Sequence, residues 1–139
     1  MPNKPSTRAA PRTPARSAKA ADNRILDHEL VDMLDDMLTA PERLRILRRA
    51  EDQLRTAVTA LRDGSGRRGL ATLQRQAHQL AGLAGSVGCL KITRLANAIE
   101  AASRRSHRAQ IRKHLAALKI ALPPALAALR HWRRRAATS

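Results

Sequence analysis

Residues 70–88 read LATLQRQAHQLAGLAGSVG, and in them Leu70, Leu73, Ala77, Leu80, Ala84 and Val87 recur at steps of 3, 4, 3, 4 and 3. That rhythm keeps the apolar side chains on one stripe of an α-helix and suits a rod packed along its neighbours at a shallow angle. The spacing predicts a helix that starts near Arg67 and is closed by Gly85-Ser86-Val87-Gly88. His78 follows Ala77 directly, so the same helix turns the imidazole just off the buried stripe, toward the outside.

Downstream, residues 90–104 carry Ile92, Leu95, Ile99 and Ala102 at helical spacing. Another helix begins after Ser106 with Ile111, Leu115, Leu118, Leu122, Leu126 and Leu129. Pro123-Pro124 is expected to bend or break it, because a proline ring clashes with the preceding turn. Upstream, Leu44, Leu47, Leu54, Val58 and Leu61 mark a helix running to about Asp63 and ended by Gly64-Ser65-Gly66. Glu51 interrupts its stripe, either as a buried polar contact or because the stripe rotates there. Thr39-Ala40-Pro41 reads as a break, with the proline at the first position of that helix. Before it, Leu26, Leu30, Met33, Leu34, Met37 and Leu38 share one face, with Asp22 or Asn23 placed to cap the start.

Four long amphipathic helices with short links predict an all-α fold: an antiparallel up-down four-helix bundle with a shorter N-terminal helix packed across one end. Trp132 is placed to cap an end of the bundle. Phe and Tyr are absent and Trp occurs once, so the core is built from aliphatic residues that favour helix. Residues 1–21 are rich in Pro, Ala, Ser, Thr and positive charge, with nothing large and apolar after Met1. Such a segment cannot offset its ordering entropy and reads as a disordered basic tail. The bundle is expected over 22–133, with a frayed C-terminus at 134–139.

The net charge of +16 is unevenly spread: +5 over residues 1–21, −3 over 22–63 and +14 over 64–139, where Glu100 is the lone acid. The second half therefore presents a field that attracts acidic proteins or polyanions. One cysteine, Cys89, excludes an internal disulfide and reads as a small buried filler rather than a reactive thiol. No apolar run is long enough to span a membrane, and none follows the basic residues at the start as a secretory signal would. A cytoplasmic monomer is the expectation, and the start methionine and single domain point to a free protein. His28, His107, His114 and His131 have no Cys or carboxylate cluster around them, so no metal site is expected.

Around His78 on its helix face stand Gln74, Arg75, Ala81, Gly82 and Gly85. Glycine inside a helix costs roughly 1 kcal/mol against alanine. Access is a physical reason for two of them: without side chains at 82 and 85, a partner backbone can come close to the imidazole. Arg75, one turn before, can offer charge to a phosphate oxygen.

The run Ala77-His78-Gln79-Leu80-Ala81-Gly82-Leu83-Ala84, the small-residue turn through Gly88, and then Leu95 and Ile99-Glu100 resemble the signature of histidine-containing phosphotransfer (HPt) domains. The similarity is closest over the third and fourth helices and extends over about residues 25–132. The resemblance implies that His78 is the phosphoacceptor, surrounded by Arg75, Gln79, Ala81, Gly82 and Gly85, with Ala71, Gln74 and Gly82 on a receiver-docking face. It implies a stoichiometric phosphocarrier rather than an enzyme, exchanging a phosphoryl group with the aspartate of receiver domains in a hybrid sensor kinase or response regulator. No cofactor is expected on this chain, since the receiver supplies Mg²⁺. The family usually has Lys three residues after the histidine, paired with the phosphoryl group, where this chain has Ala81; Arg75 and Lys91 are candidates to compensate. Two alternatives are a module that docks receivers or another acidic protein without transfer, and a helical protein that binds nucleic acid through its basic tail and C-terminal half. Against the latter stands the lack of helix-turn-helix spacing, a zinc pattern or an aromatic platform.

Overall fold

A computed structural model describes residues 24–64 and 69–138. The expected basic tail, Asp22, Asn23 and Arg67 lie outside the described residues. Within them the chain is all-helical, with five helices and no strand: α1 His28–Met37, α2 Ala40–Gly64, α3 Leu70–Ser86, α4 Leu90–Arg104 and α5 Arg108–Thr138. Helix α2 packs on α3 and α5, and α4 packs on α3 and α5, so these four close a ring of contacts. Leu54, Val58, Leu61, Ala77, Leu80, Ala84, Ala96, Ile99, Leu118 and Leu129 are completely buried between them.

Helix α1 starts later than expected, and its cap is Asp27, whose carboxylate accepts from the amides of Glu29 and Leu30. The residues before it are held away from helical geometry by a backbone pairing far along the chain. Asp27 N–H donates to the Gly88 carbonyl at 2.8 Å, and Leu90 N–H donates to the Ile25 carbonyl at 3.2 Å. Gly88 is needed at that junction: its φ is +72°, and a Cβ there would stand 3.2 Å from Leu30 and 3.3 Å from Asp27. The apolar face read on α1 is also corrected. Val31 is buried, whereas Met33 and Met37 are exposed. So short a helix buries only the edge it lays on its neighbours.

Thr39 and Glu42 form a reciprocal capping box at the start of α2: Thr39 N–H donates to Glu42 Oε1 at 2.8 Å, and Glu42 N–H donates to Thr39 Oγ1 at 3.2 Å. Pro41 is thus the second helical residue, not the first. The Thr39 hydrogen bonds hold the Glu42 carboxyl below its ordinary range. Arg43 donates from Nη1 to the carbonyls of Asp35 (3.1 Å) and Leu38 (2.7 Å), which satisfies orphan acceptors at the end of α1. The buried Trp132 ties α5 to α1, donating from Nε1 to Asp35 Oδ1 at 2.9 Å.

Pro123-Pro124 does not break α5, which is assigned as one helix from Arg108 to Thr138. Both prolines face solvent, while Ala121, Ala125 and Leu126 hold the opposite side in the core. The helix assignment continues past residue 134, where a frayed end was expected, to Thr138. Glu51 proves to be a buried polar contact. It accepts from Arg133 at 2.7 Å (Nε) and 3.3 Å (Nη2), and that contact raises the Arg133 pKa above its ordinary value.

Two measurements check this packing. Arg133→Ala strands a buried carboxylate and lowers stability by about 2 kcal/mol in urea unfolding, whereas the double change Glu51→Leu/Arg133→Leu recovers most of the loss; equal losses would contradict a coupled pair. Cys89 is buried and its thiol is pushed up to about 12 by burial, so it stays protonated at pH 8. It therefore resists a thiol-reactive disulfide reagent in the native protein and reacts promptly once urea unfolds it.

Candidate functional site

Helix α3 presents His78 because its neighbours Ala77 and Leu80 are locked in the core. The imidazole side chain is 75% exposed. Helix α4 runs antiparallel beside it, and two contacts give the register: His78 meets Glu100, and the Gly85 backbone lies against Thr93, which a Cβ would reach at 3.9 Å.

Glu100 contacts His78, and in the sequence it stands only as part of the Ile99-Glu100 pattern with no role assigned. Its carboxylate is largely shielded, at 17% exposure, and sits 3.2 Å (Oε2) and 3.4 Å (Oε1) from His78 Nδ1. An ionised carboxylate only accepts, so the favourable state of the pair has the proton on Nδ1. The lone pair of the neutral ring then lies on Nε2, the nitrogen away from Glu100. The same Oε2 also accepts from Arg104 Nη1 at 3.2 Å. His78, Glu100 and Arg104 therefore form one chain of contacts across two helices. A cue existed in the sequence: a lone acid among the cations of residues 64–139 calls for an explanation.

The other expected residues divide into those near His78 and one that is remote. Gly82, one turn after it, faces open space, with nothing within 4 Å of where a Cβ would stand. Ala71, Arg75, Gln79 and Gly85 are exposed, and Gln74 and Ala81 are half-buried. Gln79 and Leu83 line a shallow groove with Ala57 and Ala60 of α2, on the flank away from Glu100. Lys91 is not brought to the site. It lies nine residues before Glu100, about 13 Å along the axis and on the opposite side of α4. There it borders a groove with Ile92, Ile120 and Ala121.

The site thus has an exposed imidazole, a largely shielded carboxylate against its Nδ1 and, one turn along α3, the open space at Gly82. The family model for the Hpt domain matches residues 40–132, which take in α2 to α4 and most of α5. The chain belongs to the Hpt domain family. No curated protein and no solved structure gives a significant match. Hpt domains serve phosphotransfer in phosphorelays, as carriers rather than catalysts, and interact with receiver domains. Among the described residues no helix is long and apolar enough to cross a membrane.

The empty space at Gly82 separates stability from access. Gly82→Ala raises stability by about 1 kcal/mol, read as a higher urea midpoint, because helix propensity improves with no clash. Gly82→Leu folds equally well but weakens binding of a receiver to the Hpt domain at least tenfold. A Gly82→Ala variant less stable than wild type would mean that the space is not open.

Proposed function

We propose that His78 is the phosphoacceptor of a phosphorelay carrier, taking a phosphoryl group from the aspartate of one receiver domain and giving it to another. The observation that carries this reading is the exposed imidazole whose Nδ1 is engaged by Glu100, with Nε2 directed away from that carboxylate. The packing order supports an antiparallel up-down bundle of α2 to α5, with α1 laid across the end where Gly88, Arg43 and Trp132 meet it.

The chemistry then follows from few parts. The Nε2 lone pair attacks the phosphorus of an aspartyl phosphate in line. The N–P bond forms as the bond from phosphorus to the carboxylate oxygen breaks, and the receiver's aspartate leaves as a carboxylate. Nδ1 keeps its proton throughout, and Glu100 stabilises the positive charge that the phosphorylated ring acquires. Such transfers run through a loose transition state, for which positioning and charge neutralisation count most. This chain binds no cofactor for the step; Mg²⁺ belongs to the receiver. The basic second half of the chain speeds encounter with an acidic receiver pocket, an effect that weakens as salt rises.

The test mixes the protein with a receiver carrying labelled phosphate. Wild type drains label from the receiver and becomes acid-labile and labelled, while His78→Ala does neither. Glu100→Ala slows transfer roughly 10- to 100-fold, the loss expected from one charge-assisted hydrogen bond. Label that leaves the receiver equally fast with wild type and His78→Ala would end this reading. Tight receiver binding by wild type without any transfer would leave a docking module in its place.

A further inference from the structure

A phosphoryl group would bring about two negative charges to a ring already backed by a carboxylate. The position from which the family supplies a lysine holds a methyl group in Ala81, half-buried against the core. Lys91 is on the wrong side of α4. A cation joined to the site is Arg104. Its Nη1 contacts Glu100 Oε2 at 3.2 Å, and that oxygen is 3.2 Å from His78 Nδ1, so the guanidinium stands within two contact lengths of the imidazole.

We propose that Arg104 is the residue that binds the phosphoryl group on His78, an assignment that rests on His78 being the phosphoacceptor. The guanidinium has five N–H donors, and the contact with Glu100 uses one of them. Its side chain is 55% exposed, and in the proposed role its remaining donors turn from the Glu100 side of the ring toward the phosphoryl group. A planar fork of donors is matched to phosphoryl oxygens.

The register also says from which side the charge arrives. With His78 opposite Glu100 and Gly85 opposite Thr93, Arg104 falls opposite Gln74, on the N-terminal flank of His78 along α3. Arg75 stands on that same flank. A lysine at position 81 would approach from the C-terminal flank. In this protein that flank is left to Ala81, Gly82 and Gly85, all without long side chains. Charge is gathered on one side of the imidazole, and clearance for the receiver is kept on the other.

The experiment uses the full chain and phosphoramidate as a small phosphodonor, so that labelling does not depend on a receiver. Transfer of the label to a receiver is measured separately. Wild type is labelled at His78. Arg104→Ala is labelled and transfers at least tenfold more slowly, although its thermal unfolding is unchanged, because an exposed ion pair adds little stability. Arg104→Lys keeps much of the rate. Ala81→Lys added to Arg104→Ala restores it from the opposite flank, a rescue that a residue serving only to hold Glu100 in place would not show. Arg104→Ala within twofold of wild type in both assays, or no rescue by Ala81→Lys, overturns the assignment to Arg104 while leaving the phosphoacceptor reading intact. Wild type that takes no label from phosphoramidate or from a receiver removes both.

Discussion

The approach of α3 to α4 governs the rest of the site. Ala77 and Ala84 on one helix, and Ala96 and Ala102 on the other, are buried among Leu80, Ile92 and Ile99. Small side chains at the contact let two helix axes come close. Across this pair the Glu100 side chain reaches the imidazole of the adjacent rod. The constraint is angular as well as radial. A slip of one residue along α4 would carry the carboxylate about 1.5 Å and turn it about 100° around the axis, and the ring would lose its partner.

The register is held at the end of the pair remote from the histidine. The turn between α3 and α4 is short, and its glycine adopts a backbone conformation that other residues resist. The stretch before α1 is hydrogen-bonded onto that turn through Asp27 and Leu90, and Asp35 of α1 is in turn held by Trp132 and Arg43. A segment remote from His78 thus braces the helix pair that holds it. The family match begins at residue 40, after α1, so this brace lies outside the part of the chain the family model describes.

Helix α3 was legible because its signal is local: a repeated step of three and four, with a histidine one place off the stripe. The glycine after that histidine was legible for the same reason, since its oddness in a helix needs no knowledge of other elements. What the sequence hid was non-local. Asp27 became the cap of α1 only because Leu26 pairs with Cys89, and no periodicity reports a bond across that separation. Met33 and Met37 matched a helical face, but whether a face is covered depends on what lies against it. Pro123 and Pro124 predict a bend or a break because the rule for proline is local, yet the helix is unbroken, with Ala121, Ala125 and Leu126 in the core on the far side of the same turns. Glu51 and Glu100 were visible as residues, and their partners were not.

On the proposed reading of His78 as phosphoacceptor, Glu100 meets two demands that conflict. A carboxylate behind the ring fixes the tautomer and supports a developing positive charge, which favours attack by Nε2. The same carboxylate repels the phosphoryl dianion that must approach that nitrogen. A carboxylate and a dianion about 7 Å apart oppose each other by about 1 kcal/mol in bulk water and about 5 kcal/mol at an effective dielectric near 20, enough to cancel much of what orienting the ring provides. A bare glutamate behind the histidine would therefore help and hinder by similar amounts. Here the carboxylate is already engaged by Arg104 on the oxygen that faces the histidine. Its acceptor geometry is kept while its outward field is reduced. The strongly basic second half of the chain gives the lone acid its meaning, because a carboxylate among cations can direct a hydrogen bond without presenting a net negative surface to an anionic partner.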